Sequence, residues 1–367
     1  MLNIILGALT CFIIVYVSIP SIIKVAKLKH LFDFPEARKA HKTERPTLGG
    51  LAIFAGIIFS FSFWTAQMYF PIRQYVIAAM VILFFIGIKD DIIIISPLKK
   101  LIGQILAAFI VVYFGELRLT SFHGVFGIYS LPEWISITVS IFSILVIINS
   151  INFIDGIDGL AAGIGIIACL VFGVFLYYYG ENVLSLLAFS LFTALLAFMK
   201  YNFSPAKIFM GDTGSLLVGF ILSILCIRFV EINKSATAAF ITSSFSPVLA
   251  ISVLIVPLSD MLRIFCLRIF YGKSPFSPDR NHIHHCLLDL GMSHRTASFT
   301  LYGTSIFFIA ITILLRKMNS MELLTLVVLA ALLMNFIPFI VRSLKTSGKY
   351  ITVSKPQEET QVENQAA

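Results

Sequence analysis

"WISITVSIFSILVIINSINFIDGIDGLAAGIGIIACLVFGVFLYYY", residues 134–179, is two apolar runs around a polar centre. Neither 134–148 nor 164–179 contains Asp, Glu, Lys or Arg, while Asn149, Asn152, Asp155 and Asp158 crowd the stretch between them. An apolar run of about 20 residues is long enough to cross a bilayer as a helix. Lipid offers the backbone no hydrogen-bond partner, so a spanning segment must be a helix or part of a closed barrel. Period-two alternation nowhere lasts long enough for a barrel. The stretch therefore predicts two membrane helices joined by a polar turn.

Composition extends that reading to the whole chain. Of 367 residues, 58% are hydrophobic and 13% charged, whereas a soluble chain keeps about 25% charged. The predicted fold is all-α, a polytopic membrane helix bundle. About eleven spans are expected, at 2–23, 49–69, 72–88, 101–114, 134–150, 160–179, 183–199, 214–230, 236–258, 297–315 and 321–341. With Met1 outside, only Arg73, Arg118, Arg228, Lys234, Arg316 and Lys317 of the 27 basic residues fall on the outer side. The positive-inside rule then places the N-terminus outside and the C-terminus in the cytoplasm. The net charge of +8 reads as a topogenic and anionic-lipid signal, and no soluble basic face is present for nucleic acid. The first span lacks the flanks of a cleaved signal peptide. Residues 1–344 form one membrane domain, and the polar tail 345–367 is expected to be disordered. The five scattered cysteines fit packing, not a disulfide framework or zinc site. An outer hairpin is expected over 115–134, with His123 solvated.

The unusual polar clusters sit almost entirely on the inner side. They are "DFPEARKAHKTERPTLGG" (33–50), "KDDIIIISPLKK" (89–100), "NSINFIDGIDGLAAG" (149–163), "KYNFSPAKIFMGDTGS" (200–215) and "YGKSPFSPDRNHIHHCLLDLGMSHR" (271–295). Five loops converging on one face form a candidate pocket. Asp90 and Asp91 are either a solvated helix end or a repelling pair offset by a cation, one of them then a general base or metal ligand. On a helix, Asn152, Asp155 and Asp158 lie within about a third of a turn of one face. Capping explains Asp158 but neither of the others. Asp212 precedes an apolar span, as an N-cap or as an oxygen ligand of the kind Mg²⁺ prefers. Lys99 and Lys100 are topogenic or line the pocket. His282, His284 and His285 lack a zinc-finger spacing and, beside Arg280, suit an anionic sugar phosphate. Lys39, His41, Lys42 and Arg45 precede Gly49 and Gly50, whose pairing allows close backbone approach. The pocket suits a phosphate-bearing substrate.

"KAHKTERPTLGG", "KDD", "NSINFIDGIDGLAAG", "KIFMGDTGSLLVGF" and "SPFSPDRNHIHHCLLDLGMSHR" resemble the polyprenyl-phosphate N-acetylhexosamine-1-phosphate transferases, over roughly residues 1 to 345. The resemblance is strongest to the bacterial branch that acts on undecaprenyl phosphate. It implies transfer of GlcNAc-1-phosphate from UDP-GlcNAc to undecaprenyl phosphate, giving undecaprenyl-diphosphate-GlcNAc and UMP. It also implies Mg²⁺ or Mn²⁺, an inner-membrane bundle with a cytoplasmic active site, and a homodimer by analogy. By motif position, Asn152 and Asp212 are the implied metal ligands. Asp90, Asp91, Asp155, His282, His284 and His285 are the candidates for catalysis, with Asp155 given no role beyond polarity near the metal. Substrate binding falls to His41, Lys42, Arg45, Arg280, Lys100 at the diphosphate, and Phe209 and Asp158 at the uracil. The "IIIISP" that follows the acidic pair supplies no third carboxylate. Two alternatives stay close: the phospho-MurNAc-pentapeptide transferases, which tend to have three consecutive histidines in that loop, and an enzyme for another UDP-HexNAc. An ion-coupled transporter, with polar residues at mid-bilayer on discontinuous helices, is the alternative from a different class.

Overall fold

The computed structural model describes residues 1–29, 31, 45–232, 245–270, 272 and 281–353, the stretch 345–353 in backbone only. His41, Lys42 and Arg280 lie outside the described residues. Among the described residues the chain is helical, with no β-strand. The helices are α1 (Leu2–Leu28), α2 (Gly49–Trp64), α3 (Arg73–Ile92), α4 (Pro97–Phe109), α5 (Glu133–Ile154), α6 (Leu160–Tyr178) and α7 (Asn182–Asn202). They continue as α8 (Gly211–Ile232), α9 (Ser246–Val253), α10 (Ile255–Phe270), α11 (Ile283–Asp289), α12 (His294–Leu314) and α13 (Ser320–Val353). A π-helical turn, Ile110–Phe114, extends α4.

Helix α8 is the buried axis of the bundle. It packs on α3, α5 and α2, while α7 packs on α1 and α6. Large apolar side chains also point outward, among them Phe63, Phe85, Phe142, Leu262 and Leu333. A soluble protein would cover such a surface with polar groups; lipid is the solvent that suits it. Among the described residues, eight helices are long and apolar enough to cross a membrane, or nine if the bent pair α9–α10 is one span. Helix α2 has only 16 residues, and α3 ends in Lys89, Asp90 and Asp91. Helix α13 continues to Val353, past the boundary expected at Leu344.

Three expectations are corrected. The ninth span is expected at 236–258; 236–244 lie outside the described residues, and the described helices run on to Phe270, past the expected end, with a bend of 78° at Leu254. Pro257 explains the break: it has no N–H to offer the carbonyl four residues earlier, and its ring crowds that carbonyl. The segment 115–134 forms no hairpin ladder. It is a compact loop whose Thr120 donates from its backbone N–H and hydroxyl to Glu231 at 2.8 and 2.9 Å. His123, expected to be solvated, is buried in that loop.

Small residues set the distances that matter at the end of the bundle that carries Asp90 and Asp91. Gly50 lies against the backbone of Gly214, and Gly87 against that of Thr213, leaving no space for a Cβ at either glycine. The Gly49 and Gly50 amides donate to the carbonyls of Phe209 and Met210 at 3.0 and 2.8 Å, and the Phe209 amide donates to Pro46 at 2.8 Å. Residues 46–50 are thereby tied to the residues just before α8. Gly50→Ala should lower stability by about 1–3 kcal/mol, the usual range for overpacking. Gly303→Ala, with open space at its Cβ, should be neutral or slightly stabilising. Melting curves of the purified proteins check this, and a Gly50→Ala variant as stable as Gly303→Ala would refute the close-packing account.

Candidate active site

Three distant segments meet where α3, α4 and α8 converge. Lys100, in the first turn of α4, places its ammonium on Asp212 and on Asp90, 3.3 Å from the latter. Asp90 also accepts from the Ile95 amide at 2.8 Å, which shapes the turn between α3 and α4. Asn152, in the last turn of α5, donates its amide N–H groups to Asp212 Oδ1 at 2.6 Å and to Ser215 Oγ at 2.8 Å. Its own amide oxygen is engaged by no described residue. Asp90, Lys100, Asn152 and Asp212, all picked from the sequence, thus form one cluster.

Asp91 is spent differently from its neighbour. Its carboxylate accepts from the Asp212 amide at 2.7 Å, the Thr213 amide at 3.0 Å and the Thr213 hydroxyl at 2.6 Å. These are the unpaired donors at the start of α8, so Asp91 caps that helix from α3. Gly211, with φ +70°, brings the chain against Asp91 and Thr47, where a Cβ would collide with both.

The polar turn that follows α5 is pinned by the surrounding helices. Asn202 accepts from the Gly159 amide at 2.9 Å, and Tyr302 donates to the Gly159 carbonyl at 2.5 Å. Asp158 accepts from the Ala206 amide at 3.0 Å and pairs with His294 at 3.5 Å. Burial alone would raise the Asp158 carboxyl, but His294, the Ala206 amide and the Arg45 charge together hold it below the usual range. The Arg45 guanidinium lies 5.9 Å from the centre of the Phe209 ring, so Arg45, Asp158 and Phe209 form a second cluster. Asp155 is half-buried, and no described residue gives its carboxyl a hydrogen bond. Burial pushes that carboxyl well above the usual range, and the charges of Asp212, Asp91 and Asp158 push the same way.

The histidines reach the same end of α5. His282 lies 5.4 Å from the Phe153 ring, parallel to His284 at 5.7 Å. His284 sits against Gly156 so closely that any side chain there would strike its Nε2. This is what the first glycine of "DGIDG" is for. Burial holds the His284 imidazole well below its usual pKa, with His285 and His282 adding to the effect; among the described residues neither ring nitrogen has a hydrogen-bond partner.

Several contributing residues escaped the sequence reading. Gln104 on α4 is one: it forms a paired amide contact with Asn149 of the polar stretch, 2.8 Å from Asn149 Nδ2 to Gln104 Oε1. Asn202, His294 and Tyr302 read as ordinary loop or helix residues. Asp260 and Arg263 carried a signal, ionisable groups beside an apolar run, but ending the ninth span at 258 put them outside the membrane.

The break in α9–α10 bears on the transporter alternative. A cavity of about 310 Å³ lies beside it, under the loop that precedes α5, with walls that include Phe122, Phe142, Val230, Ile251 and Leu254. Among the described residues its lining holds no Asp, Glu, Lys, Arg or His, and Asp90, Asp155 and Asp212 lie at the opposite end of α5 and α8.

The contacts of Lys100 and Asn152 gather two carboxylates, Asp90 and Asp212, and one side-chain amide into a cluster rich in oxygen donors. Among the described residues no three His, Cys, Asp or Glu side chains form a ready-made metal site. A cation here fits Mg²⁺ chemistry, in which substrate phosphates and water complete the shell.

Comparison with known proteins shows the family. The sequence profile described as Glycosyl transferase family 4 matches residues 73–230. The undecaprenyl-phosphate alpha-N-acetylglucosaminyl 1-phosphate transferase of Escherichia coli is 32% identical over 279 residues, 75% of this chain and 73% of that protein. Its Salmonella typhi namesake is 32% identical over 280 residues, with the same coverage. The decaprenyl-phosphate N-acetylglucosaminephosphotransferase of Mycobacterium tuberculosis is 32% identical over 321 residues, 81% of this chain and 78% of that protein. The chain is a membrane-spanning helical protein that belongs to glycosyl transferase family 4.

The electrostatics of Asp155 make a stability prediction. A carboxyl raised in the folded state holds its proton more tightly there than when unfolded. Stability is therefore lost as pH rises from the unfolded value, about 3.9, through the folded one. Asp155→Asn removes that loss, so its melting temperature should exceed wild type at neutral pH and converge with it in acid. A variant less stable than wild type at neutral pH would contradict the account.

Proposed function

We propose that this chain transfers GlcNAc-1-phosphate from UDP-GlcNAc to undecaprenyl phosphate, releasing UMP, at the cytoplasmic face of a bacterial inner membrane. A phosphate oxygen of the lipid attacks the sugar-bearing phosphorus, and the bond from that phosphorus to the UMP oxygen breaks. The relatives are named for this transfer. The observation that carries it to this chain is the Lys100–Asp90–Asp212–Asn152 cluster: a cation, two carboxylates and an amide gathered at the end of a lipid-facing bundle.

Reaction between two anionic phosphates needs their repulsion neutralised where charge develops. Asp212 and Asn152 would hold Mg²⁺, or Mn²⁺, with Asp90 and Asp155 beside them. When bound, the cation neutralises phosphate oxygens and orients the diphosphate. Lys100 binds the diphosphate once it is drawn from its carboxylate partners. Asp90, with fewer hydrogen bonds than Asp91, orients the lipid phosphate. Asp91 holds the start of α8, and hence Asp212, in place. Phe209 offers a ring face for the uracil and Asp158 an acceptor for its N–H, while Arg45 supplies charge nearby. His282, His284 and His285, with Arg280, His41 and Lys42, serve the sugar-phosphate end. All eleven apolar segments serve as spans in this reading, with the N-terminus outside.

Purified protein supplied with undecaprenyl phosphate, Mg²⁺ and labelled UDP-GlcNAc should move label into the lipid phase with equimolar UMP. Chelation should stop transfer, and Mn²⁺ should restore it. Inverted vesicles should use externally added donor and right-side-out vesicles should not. Transfer only from UDP-MurNAc-pentapeptide would reassign the donor, and transfer from neither would sink the reading.

Lys100→Ala should lower kcat about 10²–10³-fold, as loss of a preorganised charge does. Lys99→Ala, which is exposed one residue earlier, should stay within about threefold of wild type. Equal rates for the two variants would remove Lys100 from the diphosphate site.

A further inference from the structure

Asp260 belongs to none of the groups given a task above. Its carboxylate is wholly buried on α10, as is the Arg263 guanidinium one turn later. Two charges taken out of water are costly unless each is paired and hydrogen-bonded. Three donors converge on Asp260. Arg263 donates to Oδ1 at 2.8 Å, the Ile283 amide donates to Oδ1 at 2.9 Å, and His282 Nδ1 lies 2.8 Å from Oδ2. Arg263 also donates to the Asn281 carbonyl at 2.5 Å. One charged pair on α10 thereby grips three consecutive residues, 281–283.

Two of these contacts would suffice to staple the backbone. The third acts on the imidazole. A ring nitrogen facing a carboxylate at hydrogen-bond distance carries the proton, so Nδ1 is the donor and Nε2 the nitrogen left for other partners. The ring plane is held by parallel stacking on His284, at 8°, and by a tilted contact with Phe153. No described residue engages Nε2.

We propose that Asp260 is a positioning residue for the transfer reaction. It fixes the tautomer and orientation of His282, leaving Nε2 as the one ring nitrogen that exchanges a hydrogen bond or a proton with substrate. The inference rests on the transferase reading and extends it to a residue on the broken helix.

The test compares Asp260→Asn, His282→Ala and the double variant with wild type by kcat, KM for UDP-GlcNAc and melting temperature. Asp260→Asn should lower kcat about 10–100-fold, as loss of a group supporting a functional histidine does, with KM changed less than about threefold. In the His282→Ala background the same substitution should cost no further kcat, because residues acting as one unit are non-additive. If the orphaned Arg263 charge prevents folding, Asp260→Asn combined with Arg263→Met removes both charges and should keep the kcat loss. A normal kcat alongside a lowered melting temperature, or an undiminished loss in the His282→Ala background, would make Asp260 structural only and overturn the proposal. Wild-type protein that transfers nothing would instead fail the transferase reading. In that event ¹⁵N shifts of labelled histidine decide the tautomer without turnover: a proton on Nδ1 of His282, displaced in Asp260→Asn, is expected, and no change between the two would overturn the assignment.

Discussion

The carboxylate of Asp91, held by two amides and a hydroxyl at the start of α8, sets the geometry of the end of the bundle where the polar clusters meet. The first amides of a helix have no partner within it, and at membrane depth an unpaired amide is costly. Asp91 satisfies two of them with a charge that the helix dipole also favours. Because the cap comes from α3, the register of α3 against α8 is fixed at the level of the acidic pair. Gly87 and Gly50 then allow α3 and α2 to approach α8 at backbone distance. Asp212 is presented by the same turn, so its place relative to Asn152 and Lys100 follows from this cap.

Adjacent carboxylates can therefore do different work. Asp91 is saturated by donors from the protein, and Asp90 is held by one amide and a lysine that it shares with Asp212. The shared lysine neutralises part of the repulsion between the two carboxylates. Under the function proposed above, these same carboxylates would face the cation.

The second frame is the broken helix. Pro257 ends α9, and the change of direction carries Asp260 and Arg263 to the segment that bears the histidines. The histidines in turn rest on Gly156 and Phe153 at the end of α5. Two separately anchored walls, one tied to α8 and one to α10, thus meet at the polar turn between α5 and α6.

Much of this was legible beforehand, because hydrophobicity is a local property. Apolar runs long enough to cross a bilayer set the class and placed most helices within a few residues. The polar stretches between them marked Asp90, Lys100, Asn152, Asp155 and Asp212 as candidates for one pocket. What the residues could not state was how each carboxylate is used. Asp91 and Asp212 are 121 positions apart, and only packing turns one into the cap of the other's helix. The same holds for Asp260, whose partner His282 is supplied by the bend at Leu254. Local sequence determined which groups lie in or beside the membrane; the distances between helices decided which of them are already paired and which remain for substrate.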